Sequence, residues 1–179
     1  MFDDKRSKKV IIAAHCILNQ NARIEGCGYF PGAILPVARV LMESGVGILQ
    51  MPCPELLFHG LDRCGNQGRE IGIRETLLGP KGQQACKGML KDLIYQINEY
   101  QKNGFIILGI VGIDGSPACG VNITWDHQTK GEITGTGGYI KAVKDVLADN
   151  NLGDIEIVGV KDHEWDAGIE KIKKMIQIK

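Results

Sequence analysis

Three continuous apolar runs in this chain each stop at a cysteine, and no other feature limits the fold as much. Lys9 to His15 leads into Cys16, Val46 to Met51 into Pro52-Cys53-Pro54-Glu55, and Phe105 to Asp114 into Ser116-Pro117-Ala118-Cys119. Unbroken runs such as Val10-Ile11-Ile12-Ala13-Ala14 suit strands covered on both faces, as in a parallel sheet. A fourth run, Ile155 to Val160, has the same character. Between the runs lie helical patterns. Ile34, Leu35, Ala38, Leu41 and Met42 form one face of a helix opened at Pro31 and ended by Gly45, with Pro36 in its first turns. Ala85, Met89, Leu90, Leu93, Ile94, Ile97 and Tyr100 form a second, closed by Asn103-Gly104. Tyr139, Ile140, Val143, Val146 and Leu147 form a third, and Ile169, Ile172, Met175 and Ile176 a fourth. Strands alternating with helices predict a single-domain α/β sandwich over residues 1–179, with a parallel Rossmann- or flavodoxin-like sheet of about four strands and right-handed crossovers.

The remaining stretches read as connections. Residues 1–8 are a polar lead-in. From Pro54 to Pro80 no period persists and glycines punctuate the chain, so a lid or binding loop is expected there. Gly120 to Thr134 reads as loop with a short hairpin around Trp125-Asp126 and Gly131.

Composition excludes several function classes. Lysine plus arginine equals aspartate plus glutamate at 21 each, so a nucleic acid polymer, which needs a clustered basic surface, is not the expected ligand. No apolar run approaches the length of a membrane span, and no apolar stretch with a small-residue cleavage site follows the N-terminal charges. The cytoplasm is therefore expected, with a monomer or small homo-oligomer. Six cysteines (16, 27, 53, 64, 86 and 119) are many for a reducing compartment, and a chain this long needs no disulfide staples. They point to metal binding or thiol chemistry, against the plain alternative of small buried hydrophobes.

Ligands of open parallel α/β sheets bind outside the carboxyl ends of the strands, where strand order reverses. Cys16, Cys53 and Cys119 belong to that edge. Adjacent strands lie about 4.8 Å apart, so three neighbouring strand ends span roughly 10 Å. Three thiolates on such a patch can share an iron–sulfur cluster and leave one iron of a cubane open to substrate; scattered buried thiols are the competing reading. The prolines flanking Cys53 remove two N–H donors and stiffen its backbone. Ser116-Pro117 reads as the N-cap and first residue of a short helical turn whose N–H groups favour an anion, or as an ordinary cap. Glu55 is either a solvated loop carboxylate or a proton shuttle beside the thiols. Polar side chains near these strand ends, His15, Asn19, Asn21, Arg23, His59 and Asn122, are the candidates for contacting a small-molecule substrate. Cys27 and Cys64 lie in covering loops as a fourth ligand or spare thiols, and Cys86 reads as structural.

Cys16-Ile17-Leu18 followed by Arg23 and Gly26, Cys53-Pro54-Glu55 followed by Gly60-Leu61, and Ser116-Pro117-Ala118-Cys119-Gly120 together resemble the thiouracil desulfurase (TudS-like) family of iron–sulfur desulfidases. Gly135-Thr136-Gly137-Gly138 before Tyr139 is a weaker echo. The likeness runs from about residue 10 to 147. It implies a [4Fe–4S] cluster on Cys16, Cys53 and Cys119, with the thiocarbonyl sulfur of a thiolated base on the fourth iron. Water then replaces that sulfur without net redox change, and sulfide leaves by way of the cluster. Glu55 and Ser116 match positions that handle protons and orient substrate. Departures fall at Asn19 (glycine in the family), Ile24-Glu25 (a tyrosine–aspartate pair) and the bulky Leu56-Leu57-Phe58-His59. These positions are expected to line the pocket, so the resemblance carries the cluster and leaves the substrate open.

Other motifs carry less. Gly135–Gly138 lacks the third glycine of a dinucleotide fingerprint and lies far from the first βα turn. His163-Glu164-Trp165-Asp166 lacks the second histidine of a zincin, since residue 167 is alanine. Trp125 and Trp165 suit core packing or a lid contact as well as base stacking. Two further readings compete with a desulfidase: a non-catalytic iron–sulfur or metal-binding module in sulfur handling, and a zinc- or thiol-dependent hydrolase.

Overall fold

The computed structural model describes residues 2–63 and 72–177. Its centre is a four-stranded, all-parallel sheet of β1 (Lys9–Ala13), β2 (Gly47–Gln50), β3 (Ile106–Asp114) and β6 (Ile157–Lys161), in the order β2-β1-β3-β6. Helices flank this sheet in a single-domain α/β sandwich of the flavodoxin-like kind. β4 (Ile123–Asp126) and β5 (Gly131–Thr134) form a separate antiparallel hairpin, where the turn residues around Trp125 and Gly131 predict one. α1 (His15–Leu18), α2 (Leu35–Glu43), α3 (Pro54–His59), α4 (Ile73–Leu78), α5 (Pro80–Met89), α6 (Lys91–Lys102), α7 (Gly138–Asp149) and α8 (Trp165–Gln177) complete the described elements.

Packing explains the layers. The interior strands are apolar along their length: Val10, Ile11, Ile12 and Ala13 of β1 and Ile107 to Ile113 of β3 carry the core. α2 and α8 contact one another and α8 packs on β3 and β6; α6 packs on β3 and adjoins α5, which meets α7. Gly109 sits under α8, where an added Cβ would lie 2.5 Å from Met175 Sδ.

Several expectations need correction. β1 ends at Ala13, not His15, because the chain turns at Ala14 to start α1. β2 is an edge strand, with only its middle residues partly covered, so it is not the fully buried strand its composition suggests. α2 begins at Leu35; its inner face is Val37, Ala38 and Leu41, and Leu35 and Met42 face outward at 55% and 71% exposure. The single helix expected through Ala85 and Tyr100 is two, divided at Leu90, whose N–H bonds Lys87 O at 3.2 Å in a tightened turn. The stretch from Pro54 to Pro80 is not a plain loop, since it contains α3 and α4. No helix among the described residues is long and apolar enough to cross a membrane.

Candidate active site

Strand order reverses at β1, between β2 and β3, and the three cysteine segments leave these three adjacent strands. After β1, Ala14 N–H bonds Val111 O at 2.8 Å and the chain turns into α1 with Cys16 in its first turn. Buried Gln20 fixes the following loop: its Nε2 donates to Cys16 O (2.8 Å) and its Oε1 accepts from Tyr29 N–H (3.1 Å). After β2, Cys53 takes the extended conformation (φ −90°, ψ 112°) that a residue before proline prefers, and caps α3. Its Sγ accepts Leu56 N–H at 3.4 Å. After β3, Ser116 Oγ accepts the N–H groups of Ala118 (3.2 Å) and Cys119 (3.0 Å), the capping role its sequence predicts. The Asp114 carboxylate anchors the far side of this turn, with Oδ1 accepting N–H from Val121, Asn122 and Ile123. Cys119 O then folds back onto Ile113 N–H over Gly112, where a Cβ would collide with Val121 and Cys119.

All three thiols line one cavity of about 630 Å³, together with Glu55, Ser116, His15, Arg23 and Cys27. That volume is of the size that binds small molecules. Ile24, Glu25 and Trp125 also line it, as expected for the first two. Four expected residues do not. Asn19 accepts Asn21 N–H and caps the short 3-10 turn Gln20–Ala22, which takes both asparagines off the cavity wall. Asn122 is exposed beyond Asp114, and His59 ends α3 away from the opening. Leu56, Leu57 and Phe58 likewise stay off the wall, because α3 leads them outward from Cys53 and Glu55. Cys86 is buried outside the cavity, and Cys64 lies outside the described residues. The described cysteines are free thiols.

Two guanidiniums on the cavity wall are paired. Arg23 forms a two-pronged bond with Asp162 at the end of β6 (2.9 and 2.6 Å). Arg63, only 1% exposed, binds Glu55 Oε2 through Nε at 3.3 Å, the carbonyl of Gly60, and Ala22 O at 2.5 Å. It thus ties the segment after Cys16 to the segment after Cys53. Burial pushes the Cys16 thiol up to about 12, with Arg23 opposing and Cys53 and Glu55 adding to the rise. Burial, then Cys16 and Cys53, raises Cys119 well above the ordinary thiol range. Burial raises Cys53 also, against the Leu56 N–H bond. His15 is held below its usual value by burial. Among the described residues, no group of three His, Cys, Asp or Glu side chains is placed to hold a single metal ion.

Arg63, Asp114, Glu132, Lys161 and Asp162 also line the cavity and escape the sequence reading. Asp114 ends β3 and Asp162 follows β6, both polar residues closing apolar runs; Arg63 stands in a glycine-rich stretch that gives no such signal.

No protein-family profile matches the chain. No solved structure matches it. A curated relative, "Uncharacterized protein MJ0003" from Methanocaldococcus jannaschii, is 33% identical over 116 residues, which span 65% of this chain and 70% of that protein.

Proposed function

Since the chain belongs to the same family as MJ0003 of Methanocaldococcus jannaschii, whose name assigns no activity, we propose a function from the site itself: a [4Fe–4S]-dependent, non-redox desulfidase acting on a thiolated base or related thiocarbonyl compound. The observation that carries this reading is the meeting of Cys16, Cys53 and Cys119, from three adjacent strand ends, on one small-molecule cavity beside Glu55 and Ser116. The donor set fits such a group, being three thiols of the type iron–sulfur centres use. When bound by these cysteines, the cluster supplies a sulfur-seeking iron that carries no protein thiolate.

The chain's own groups supply the rest. Overall, a thiocarbonyl and water give a carbonyl and hydrogen sulfide, with no electron gained or lost. Arg63 fixes Glu55 through Oε2, which leaves Oε1 to take a proton from the attacking water. Ser116 Oγ already accepts two N–H bonds, so its hydroxyl hydrogen is free to donate into the cavity and orient the substrate. His15, whose charged form burial disfavours, offers a polar wall. The cytoplasm suits free thiols, which stay reduced there.

Anaerobic purification, reconstitution with iron and sulfide, and assay of sulfide release across thiolated bases, nucleosides and thioamides tests the proposal. Expected are iron in cubane stoichiometry, broad visible absorption and sulfide release that falls about a hundredfold or more in Glu55→Gln with the iron retained. A colourless protein with stoichiometric zinc rejects the cluster. A loaded protein that releases sulfide from no substrate rejects the enzyme and leaves a binding module.

A further inference from the structure

The cavity that holds the three thiols also presents a large aromatic ring left open by the fold. Among the described residues, Tyr29 and Trp125 are the large exposed apolar side chains that line it, and both are aromatic. The Tyr29 ring is already engaged: His163 meets it edge-on at 4.4 Å, and the Arg23 guanidinium lies 5.5 Å from its centroid. Trp125 is 43% exposed, and among the described residues no aromatic ring or cation covers its indole. An open indole on a cavity of small-molecule size is a surface for a second flat ring, because an aromatic face offers a large contact area in one fixed plane.

The hairpin holds this ring in place. Along β4, Thr124 and Asp126 are buried, so strand alternation turns Trp125 between them to the opposite face. Two bonds dock β4 on the turn after β3: Gly115 N–H to Ile123 O (2.9 Å) and Thr124 Oγ1 to Ser116 O (3.1 Å). Ser116 Oγ in turn accepts Cys119 N–H, so the indole is one residue from the frame that carries a cysteine. Across the hairpin Trp125 pairs with Glu132, whose carboxylate Lys161 holds at 2.9 Å. Gly115 permits that close approach, with φ +86° and an added Cβ only 2.8 Å from Glu132 Oε1. Asp126 accepts Thr129 N–H at 2.8 Å and braces the hairpin turn.

We propose that Trp125 is the stacking platform of the cavity, selecting substrates whose thiocarbonyl belongs to a flat conjugated ring over open-chain thioamides. The inference rests on the desulfidase reading above and narrows its substrate class. A thioamide without a ring has little face to lay on an indole and gains little from this wall. A base stacked on an aromatic side chain loses about tenfold or more in binding when that side chain is cut to alanine. Trp125 sets specificity and moves no proton.

Two probes separate the cases: thiouracil, flat and conjugated, and thioacetamide, open-chain. In the iron-free Trp165→Phe chain, Trp125 is the remaining tryptophan. Thiouracil is expected to quench its fluorescence saturably, and thioacetamide at equal concentration to leave it unchanged. In the reconstituted protein, Trp125→Ala is expected to raise KM for thiouracil about tenfold or more at unchanged kcat and melting point, the mark of binding lost equally before and during reaction. Trp125→Phe, which keeps a flat ring, is expected to recover most of that loss. An unquenched Trp125, a wild-type KM in Trp125→Ala, or equal kcat/KM for the two probes overturns the inference. Sulfide release from thiouracil alongside any of these leaves the desulfidase reading standing. Saturable quenching in a chain that takes up no iron does the reverse: it rejects the desulfidase and keeps the platform.

Discussion

A single buried guanidinium holds two of the three cysteine segments in register. Arg63 reaches Ala22 O on one side and Glu55 and Gly60 O on the other, and is itself 1% exposed. Arg63→Met leaves two carbonyls and a carboxylate without their donor, so a loss of about 3 kcal/mol is expected in urea unfolding. Arg63→Lys is not expected to rescue it, because an ammonium cannot span the forked set of acceptors. At this scale the sequence was informative about chemistry and silent about support. Cys16, Cys53, Cys119, Glu55 and Ser116 were legible because each closes an apolar run or sits beside one that does. The same nearness points to Asn19, Asn21, His59 and Asn122, yet a capping bond, a helix direction or a turn carries each away from the cavity. Nearness along the chain does not fix direction in space.

Among elements, the glycine pair that opens α7 is the most constrained. The run Gly135-Thr136-Gly137-Gly138 resembles a nucleotide loop in composition, but its glycines serve backbone contact with the Cys119 turn. Gly137→Ala sets a methyl against the Ala118 carbonyl carbon and Gly120 N, which are backbone atoms and cannot move aside cheaply. A drop of about 2 kcal/mol is expected in thermal or urea melting. Gly153→Ala, with nothing within 4 Å of the added carbon, is expected to be near neutral and serves as the control. Helix periodicity locates α7 and α8, whose apolar faces pack on the sheet. It missed α3 and α4, each of 6 residues, which are too short to show a period. It also ran α5 and α6 together, since Leu90 keeps near-helical angles (φ −86°, ψ −8°) and the apolar face continues across the break.

For the whole molecule, the buried thiols make stability depend on pH in a definite direction. The Cys16 thiol titrates near 9 when unfolded and is pushed up to about 12 in the fold. A group raised in this way gives its full contribution below the unfolded value and loses it as pH climbs towards the folded one. The metal-free protein is therefore expected to lose stability from pH 9 upward, by about 1.4 kcal/mol per pH unit for one such thiol. Cys119 and Cys53 shift in the same direction and steepen the fall. Urea midpoints measured across this range, wild type against Cys16→Ser, check it: the serine variant is expected to show the shallower decline. The sheet itself was the most legible level, since four apolar runs alternating with helices admit few arrangements, and β2-β1-β3-β6 is one of them.

The pairing of β1 with both β2 and β3 also sets a timetable. Cys16, Cys53 and Cys119 are neighbours only across the finished sheet, and the last of them follows β3, beyond the middle of the chain. A nascent chain still lacking that strand holds at most two of the three sulfurs. The full trio is therefore assembled only after β3 has joined the sheet, whereas tightly spaced cysteine motifs bring their thiols together within one short segment.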